Sequence, residues 1–201
     1  MPASSVLSRS FYNRPTLEVA RELIGKRLVR LEGGERLSGW IVETEAYIGQ
    51  TDLGCHARAG ITPRTRVMFG PPGHAYVYFT YGMHWMLNIV TEAEGFPAAL
   101  LIRSLAATEG LGLIAARRAG RPPAQWTDGP GKLCQAIGID RKLNGADLCQ
   151  PGAELFVENG PSIPDSAVSI SPRVGLNTVP EPWKSMPWRF AARGDFFIKE
   201  Q

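Results

Sequence analysis

Apolar residues at Leu17, Ala20, Leu23 and Ile24 fall on one face of a 3.6-residue repeat, which predicts a helix over residues 16–24. Glu18 lies in its first turn and Gly25 can end it. The period then shortens to two. Residues 26–31 and 36–47 read as strands joined across Gly33 and Gly34. Residues 74–81 and 84–91 are aromatic and β-branched runs parted by Gly82 and Met83, a pattern that predicts a β-hairpin with Tyr81 at or beside its tip. Residues 98–105 form a further apolar strand with one charge inside it, Arg103. Residues 109–119 and 131–137 read as helices, the second following Pro130. Prolines at 151, 161, 164, 172, 180, 182 and 187 break the remainder into short strands and turns. Together these elements predict an α+β fold: a single domain over residues 1–201 with a curved antiparallel β-sheet, peripheral helices and a protruding β-hairpin. Residues 1–14 are expected to be a less ordered segment.

Between the second strand and the hairpin, residues 49–73 hold five glycines and three prolines and cannot be one regular element. A loop this long inside a compact domain is more often functional than idle. It is also basic: Arg58, Arg64 and Arg66 lie between positions 56 and 66 with no acid among them. Over the whole chain 22 Lys and Arg face 19 Asp and Glu, a net +3 that favours polyanions without requiring them. Hydrophobic residues at 44% exclude a disordered chain, and no apolar run approaches the roughly 20 residues needed to cross a bilayer. The first residues carry no apolar core behind a basic patch, so a cytoplasmic protein with no membrane partner is expected.

Strand periodicity places Glu43, Glu45 and Tyr47 on one face. Two carboxylates so close repel unless a cation, a donor or water meets at least one of them. Glu45, at a strand end that opens into the long basic loop, is placed to activate water. Arg103 sits among Leu100, Leu101, Ile102 and Leu105, and a guanidinium in such a strand needs a carboxylate, for which Glu45 is a candidate. Asn88, within an apolar run, must find partners or face a cavity. Four of the five tyrosines, Tyr47, Tyr76, Tyr78 and Tyr81, crowd this region, and aromatics beside a basic loop suit stacking on nucleobases. By parity Tyr76 and Tyr78 share a face with His74, whereas Tyr81 falls on the opposite one. Three cysteines, Cys55, Cys134 and Cys149, lack the spacing of a zinc site or disulfide framework and read as free thiols. No metal or nucleotide-cofactor motif is present; no cofactor is expected.

The segments ETEAYIG (43–49), CHARAGITPRTRVMFGPPGHAYVYFTYGMHWMLNIV (55–90), LLIRSL (100–105) and DGPGKLCQAIGI (128–139) resemble those of the alkyladenine, or methylpurine, DNA glycosylases. The resemblance runs from about Pro15 to Ile198 and is to compact bacterial members, without the long basic N-terminal extension of the vertebrate ones. It implies a monofunctional, base-flipping DNA-repair hydrolase acting on double-stranded DNA that carries a damaged purine. It implies Glu45 as general base and Arg103 as its partner in holding the attacking water. It also implies Tyr47, His56 and Tyr78 as the pocket around the extruded base, with Asn88 at its floor crowding the amine of guanine. Tyr81 would fill the gap in the duplex, and Arg64 and Arg66 would meet phosphates. A monomer at the bacterial nucleoid is expected.

Three other readings stay open on the residues. A non-catalytic nucleic-acid-binding module could use the same tyrosines and arginines, but gains nothing from a carboxylate facing phosphates. A hydrolase of small carbohydrates or nucleosides would share the carboxylate chemistry, though not the tip tyrosine. A strand-nicking enzyme would attack through the amine of Pro2.

Overall fold

The computed structural model describes residues 6–193; Pro2 and the end of the resemblance at Ile198 lie outside that range. Its elements are α1 (Arg9–Tyr12), α2 (Thr16–Glu22), β1 (Arg27–Glu32), β2 (Glu35–Ile48), β3 (Ala75–Thr80), β4 (His84–Val90), β5 (Ala98–Glu109), α3 (Leu111–Arg117), α4 (Pro130–Ile137), β6 (Leu155–Glu158), β7 (Val168–Ser171) and β8 (Arg189–Ala192). The strands form an open, wholly antiparallel sheet in the order β3-β4-β5-β2-β1-β6, with β8 on the second half of β2 and β7 beyond it. Strand β2 is the spine. It runs along β5 on one edge, while β1 and then β8 share the other.

Alternation along the strands sorts two environments onto two faces. Ala46, Val77, Leu87, Ile89, Leu100 and Ile102 turn inward to a core shared with Val19 and Ala20 of α2, Leu23 at its C-terminal cap, and Leu133, Ala136 and Ile137 of α4. Between them, Glu45, Tyr76, Asn88, Leu101 and Arg103 turn to the other face. There the loop 49–73 folds across the sheet on two short 3-10 turns, His56–Ala59 and Arg66–Phe69, burying Cys55, Ala57 and Met68. The loop therefore walls the face that carries the polar residues.

Three expectations change. The chain is anchored well before residue 14: Val6 bridges Glu158, Leu7 N–H donates to Val157 O at 2.8 Å, and Tyr12 is fully buried. The segment expected to be less ordered thus packs from Val6 onward; its first five residues lie outside the described range. Strand β5 runs to Glu109 instead of ending at Leu105, because it stays paired with β2 as far as Ser38. The following helix begins only after Gly110, whose φ of 70° breaks the strand and whose absent side chain lets the backbone pass Arg36 O and Leu37.

Candidate active site

A cavity of about 330 Å³ opens on the polar face of the sheet. Its walls come from alternate positions of four strands: Tyr47 of β2, Tyr76, Tyr78 and Thr80 of β3, Met86 and Asn88 of β4, and Leu101 and Arg103 of β5. Cys55, His56 and Met68 of the long loop close one side, and Val174, Gly175 and Leu176 close another. The sequence thus distributes the site over positions far apart in the chain, and the period of two brings them to one face.

Arg103 owes its aim to a fault in the ladder. Ile102 pairs with Thr44 and Ser104 with Glu43, so Arg103 is the extra residue of a β-bulge. From there its Nε donates to Glu43 Oε1 at 2.9 Å, and its Nη1 stands 3.3 Å from Glu45 Oε2. One guanidinium therefore faces both carboxylates, and Arg189 Nη1 brings a second cation to Glu43 Oε1 at 3.0 Å. Glu45 itself has no exposed surface and lies just beneath the cavity wall. Tyr47 Oη–H donates to its Oε2 at 2.9 Å and Val174 N–H to its Oε1 at 2.6 Å. Burial raises the Glu45 carboxyl above the usual range, while Arg103, the Val174 N–H and the Tyr47 hydroxyl pull it back. The result is an ionisable base of heightened proton affinity held in a fixed direction.

The aromatic wall is close-packed. Tyr76 and Tyr78 have ring centroids 5.3 Å apart, and His56 meets Tyr78 edge-on at 4.6 Å. His56 Nδ1 lies 3.0 Å from Tyr76 Oη. Burial first, and then Arg64 and Arg58, lower its pKa to about 4, so the ring is neutral near pH 7. Asn88, buried on the cavity wall, donates from Nδ2 to Tyr76 O at 3.1 Å. Arg64 stacks over Tyr78 at 4.8 Å, at the aromatic wall, while Arg66 lies exposed on the loop and outside the lining.

Tyr81 shows where strand parity misleads. Counting by twos assigns it to the face opposite Tyr78, yet it lines the cavity with Tyr78 and Thr80. The strand has ended at Thr80, and Tyr81 adopts a left-handed φ of 52° beside Gly82 at 68°, so alternation no longer applies. The side chain is 80% exposed, and Met83 beside it is 67% exposed. His74, by contrast, shares the Tyr76 parity but not the site: it is bridged to Asp147 and sits 3.2 Å from Arg9.

Sequence reasoning missed the segment 173–176 and its anchor. Arg173 and Asp52 form a fully buried, two-pronged ion pair, with Nη1 to Oδ2 at 2.5 Å and Nη2 to Oδ1 at 2.8 Å. An arginine alone in the uncharged run 166–180, mirrored by an aspartate in an otherwise acid-free loop, was the available signal. Cys55, whose thiol burial pushes up to about 12, offers no nucleophile. Among the described residues no group of three or more His, Cys, Asp or Glu is arranged to hold a metal ion.

The family "Methylpurine-DNA glycosylase (MPG)" matches residues 10–196. A protein of Methanocella arvoryzae provisionally named a 3-methyladenine DNA glycosylase is 52% identical over 92% of this chain and 91% of its own length. A protein of the same provisional name from Myxococcus xanthus is 51% identical over 93% of this chain and 90% of its own. Another, from Carboxydothermus hydrogenoformans, is 43% identical over 98% of this chain and all of its own length.

Proposed function

Because this chain belongs to the methylpurine-DNA glycosylase family, a family of hydrolases that act as N-glycosylases, we propose that it excises alkylated purines from duplex DNA by hydrolysis at Glu45. The relatives' names direct the substrate to 3-methyladenine. Deaminated purines extend the range less readily, since a neutral base must gain a proton as it leaves.

The observation that carries the reading is a buried carboxylate, pinned by two hydrogen bonds and one ion pair, directly beneath an aromatic cavity. A purine stacked in a duplex cannot reach such a site, so the nucleotide swings out, and a damaged pair gives it up at less cost. Tyr47 and Tyr78 offer π-faces to an alkylated purine, which is cationic, and π-faces favour cations. His56 suits the same guest because it is neutral and does not repel it. Arg64, freed from Tyr78 as the base enters, turns with Arg66 to the phosphates. Asn88 meets the edge of the base and crowds an extra amine such as guanine carries.

Hydrolysis then proceeds in one displacement. The bond between the sugar C1′ and the purine nitrogen breaks, its electrons neutralising the cationic base. Water adds to C1′ and Glu45 accepts its proton, leaving a free purine and an abasic sugar with a C1′ hydroxyl. Oε1 accepts only the Val174 N–H among the described residues, whereas Oε2 accepts the Tyr47 hydroxyl and faces the Arg103 cation at 3.3 Å, so the proton goes to Oε1. The ionised carboxylate also favours the oxocarbenium-like charge that develops at C1′. Water as nucleophile makes the enzyme monofunctional, with a single chain sufficient at the nucleoid. Tyr81, exposed at the hairpin tip beside the cavity mouth, enters the gap the nucleotide leaves.

Mass spectrometry of free bases released from methylated duplex DNA tests this. The wild type should release 3-methyladenine, and Glu45→Gln should bind an abasic-analogue duplex yet release none. Undiminished release by Glu45→Gln would overturn the reading, and binding without release by the wild type would favour a non-catalytic module.

A further inference from the structure

Arg173 does more than pair with Asp52. Its Nη1 donates to Ala46 O at 3.0 Å, the carbonyl between Glu45 and Tyr47 in β2. Its Nη2 donates to Trp183 O at 3.1 Å. The guanidinium plane stacks on the ring of Tyr47 at 4.7 Å and on that of Trp188 at 4.9 Å. Asp52 in turn accepts the Gly54 N–H at 2.9 Å, which fixes the loop just before Cys55 and His56. Gly54 leaves no room for a side chain there, since a Cβ would stand 2.9 Å from Arg173 Nη2 and 2.8 Å from Leu176 Cδ1. The residue next to Arg173 is Val174, the donor to Glu45 Oε1.

We propose that Arg173, locked by Asp52, is the positioning residue of the excision centre, holding the Val174 N–H on Glu45 and the ring of Tyr47 against the extruded purine. The inference rests on the hydrolytic reading of Glu45 given above. A buried ion pair is poor evidence of a need for stability, because apolar side chains of similar volume often replace one without loss. Nor is this guanidinium placed to satisfy itself: its Nε is buried without a hydrogen-bond partner among the described residues. What its position does achieve is to touch three separate walls of one site, namely β2 at Ala46 and Tyr47, the loop through Asp52, and the segment that carries Val174. Val174 is exposed and its segment has no regular structure, so little else aims that N–H.

The charges around Glu45 make the consequence readable. Glu43 and Tyr47 face it from its own strand, Arg103 from β5, Arg189 from β8 and Tyr78 from β3. The Val174 N–H, next to Arg173 in the chain, and the Tyr47 hydroxyl, whose ring Arg173 stacks on, both depend on it, and both favour the ionised carboxylate. Loosening them raises the proton affinity of Glu45 and misdirects the base in the same stroke.

The test compares the wild type, the double variant Asp52→Leu/Arg173→Met and the single variant Arg173→Lys. The measurement is single-turnover release of 3-methyladenine from methylated duplex against pH, alongside thermal melting and binding to an abasic-analogue duplex. Lysine keeps the charge opposite Asp52 but neither the two-pronged pair nor the planar stack. Both variants should melt cooperatively and bind the analogue duplex as the wild type does. Their excision should fall by about a hundredfold, the scale of a one-ångström misplacement, with the acid limb of the profile moved to higher pH. If the double variant does not fold, Arg173→Lys alone decides the matter by the same criteria. Wild-type rates, or lost activity with an unmoved acid limb, would reduce the pair to a fold element and overturn the proposal. Excision by Glu45→Gln under the same conditions would instead remove the reading beneath it, so the two failures are distinct.

Discussion

Tyr47 donates its phenolic proton to Glu45 Oε2 across 2.9 Å, from two positions further along the same strand. Burial, and then the carboxylate itself, push the phenol well above its ordinary value, so it remains a donor throughout the neutral range. The strand's own geometry thus supplies one of the three groups that oppose the desolvation of Glu45.

The pH dependence of excision follows. In the proposed reaction Glu45 serves as base only when ionised, and its pKa is raised, so single-turnover release should fall with decreasing pH starting above the usual carboxylate range. Tyr47→Phe removes a donor that favours the ionised form. Its acid limb should move up by about one pH unit, the worth of a hydrogen bond to a charged group. A limb at or below the wild-type position would show that the phenol does not tune the base.

His56 should be silent in the range where most histidines titrate. Its native pKa is lowered to about 4 against 6.5 for the free side chain. Between those values the unfolded chain binds a proton that the native chain refuses, so this group's contribution to stability is full above 6.5 and lost as pH falls towards 4. Urea melts at pH 7 and pH 5 should show a larger loss for the wild type than for His56→Gln, and an NMR titration of the ring reads the pKa directly. A midpoint near 6.5 would contradict the buried, neutral ring.

At the hairpin tip, stability and binding should move in opposite directions. Tyr81 holds a left-handed φ of 52°, a conformation that strains a non-glycine residue by about 1 kcal/mol or more. Tyr81→Gly should leave the melting temperature unchanged or raise it, because 80% of the tyrosine surface is exposed and little packing is lost. The same change should weaken binding to lesion DNA by about tenfold, the value of one stacking ring. Full affinity in Tyr81→Gly would remove the wedge role.

Gly54→Ala probes how closely the cavity wall is fitted. The new methyl would lie 2.8 Å from Leu176 Cδ1, 2.9 Å from Arg173 Nη2 and 3.2 Å from Asp52 Oδ1. Overpacking of this kind destabilises by about 1–3 kcal/mol. Chemical denaturation should report that loss, and a neutral result would mean that the segment 173–176 yields freely.

The residues of the candidate site were legible wherever a local pattern dictates geometry. Period-two alternation put Glu43, Glu45 and Tyr47 on one face and required a partner for Arg103, because repulsion and desolvation act whatever the rest of the chain does. The glycine- and proline-rich loop could be no regular element and had to cover something. Arg103 illustrates the limit: alternation makes it a buried charge, but only the β-bulge opposite Glu43 and Thr44 lets one guanidinium reach two carboxylates. Tyr81 illustrates it again, since a single left-handed residue returned to the cavity mouth a ring that parity had assigned to the opposite face.

What the amino-acid order determined by itself is the two-faced sheet, its apolar side against the helices and its polar side beneath the loop, for alternation and turn chemistry are properties of neighbours along the chain. What only the tertiary structure decided is the joining of Arg173 to Asp52 and of Val174 to Glu45, across more than a hundred residues. No periodicity links such positions. They meet because strand β8 pairs with β2 at Glu45 and brings the C-terminal segment across the site, where a buried charge must find its counterpart.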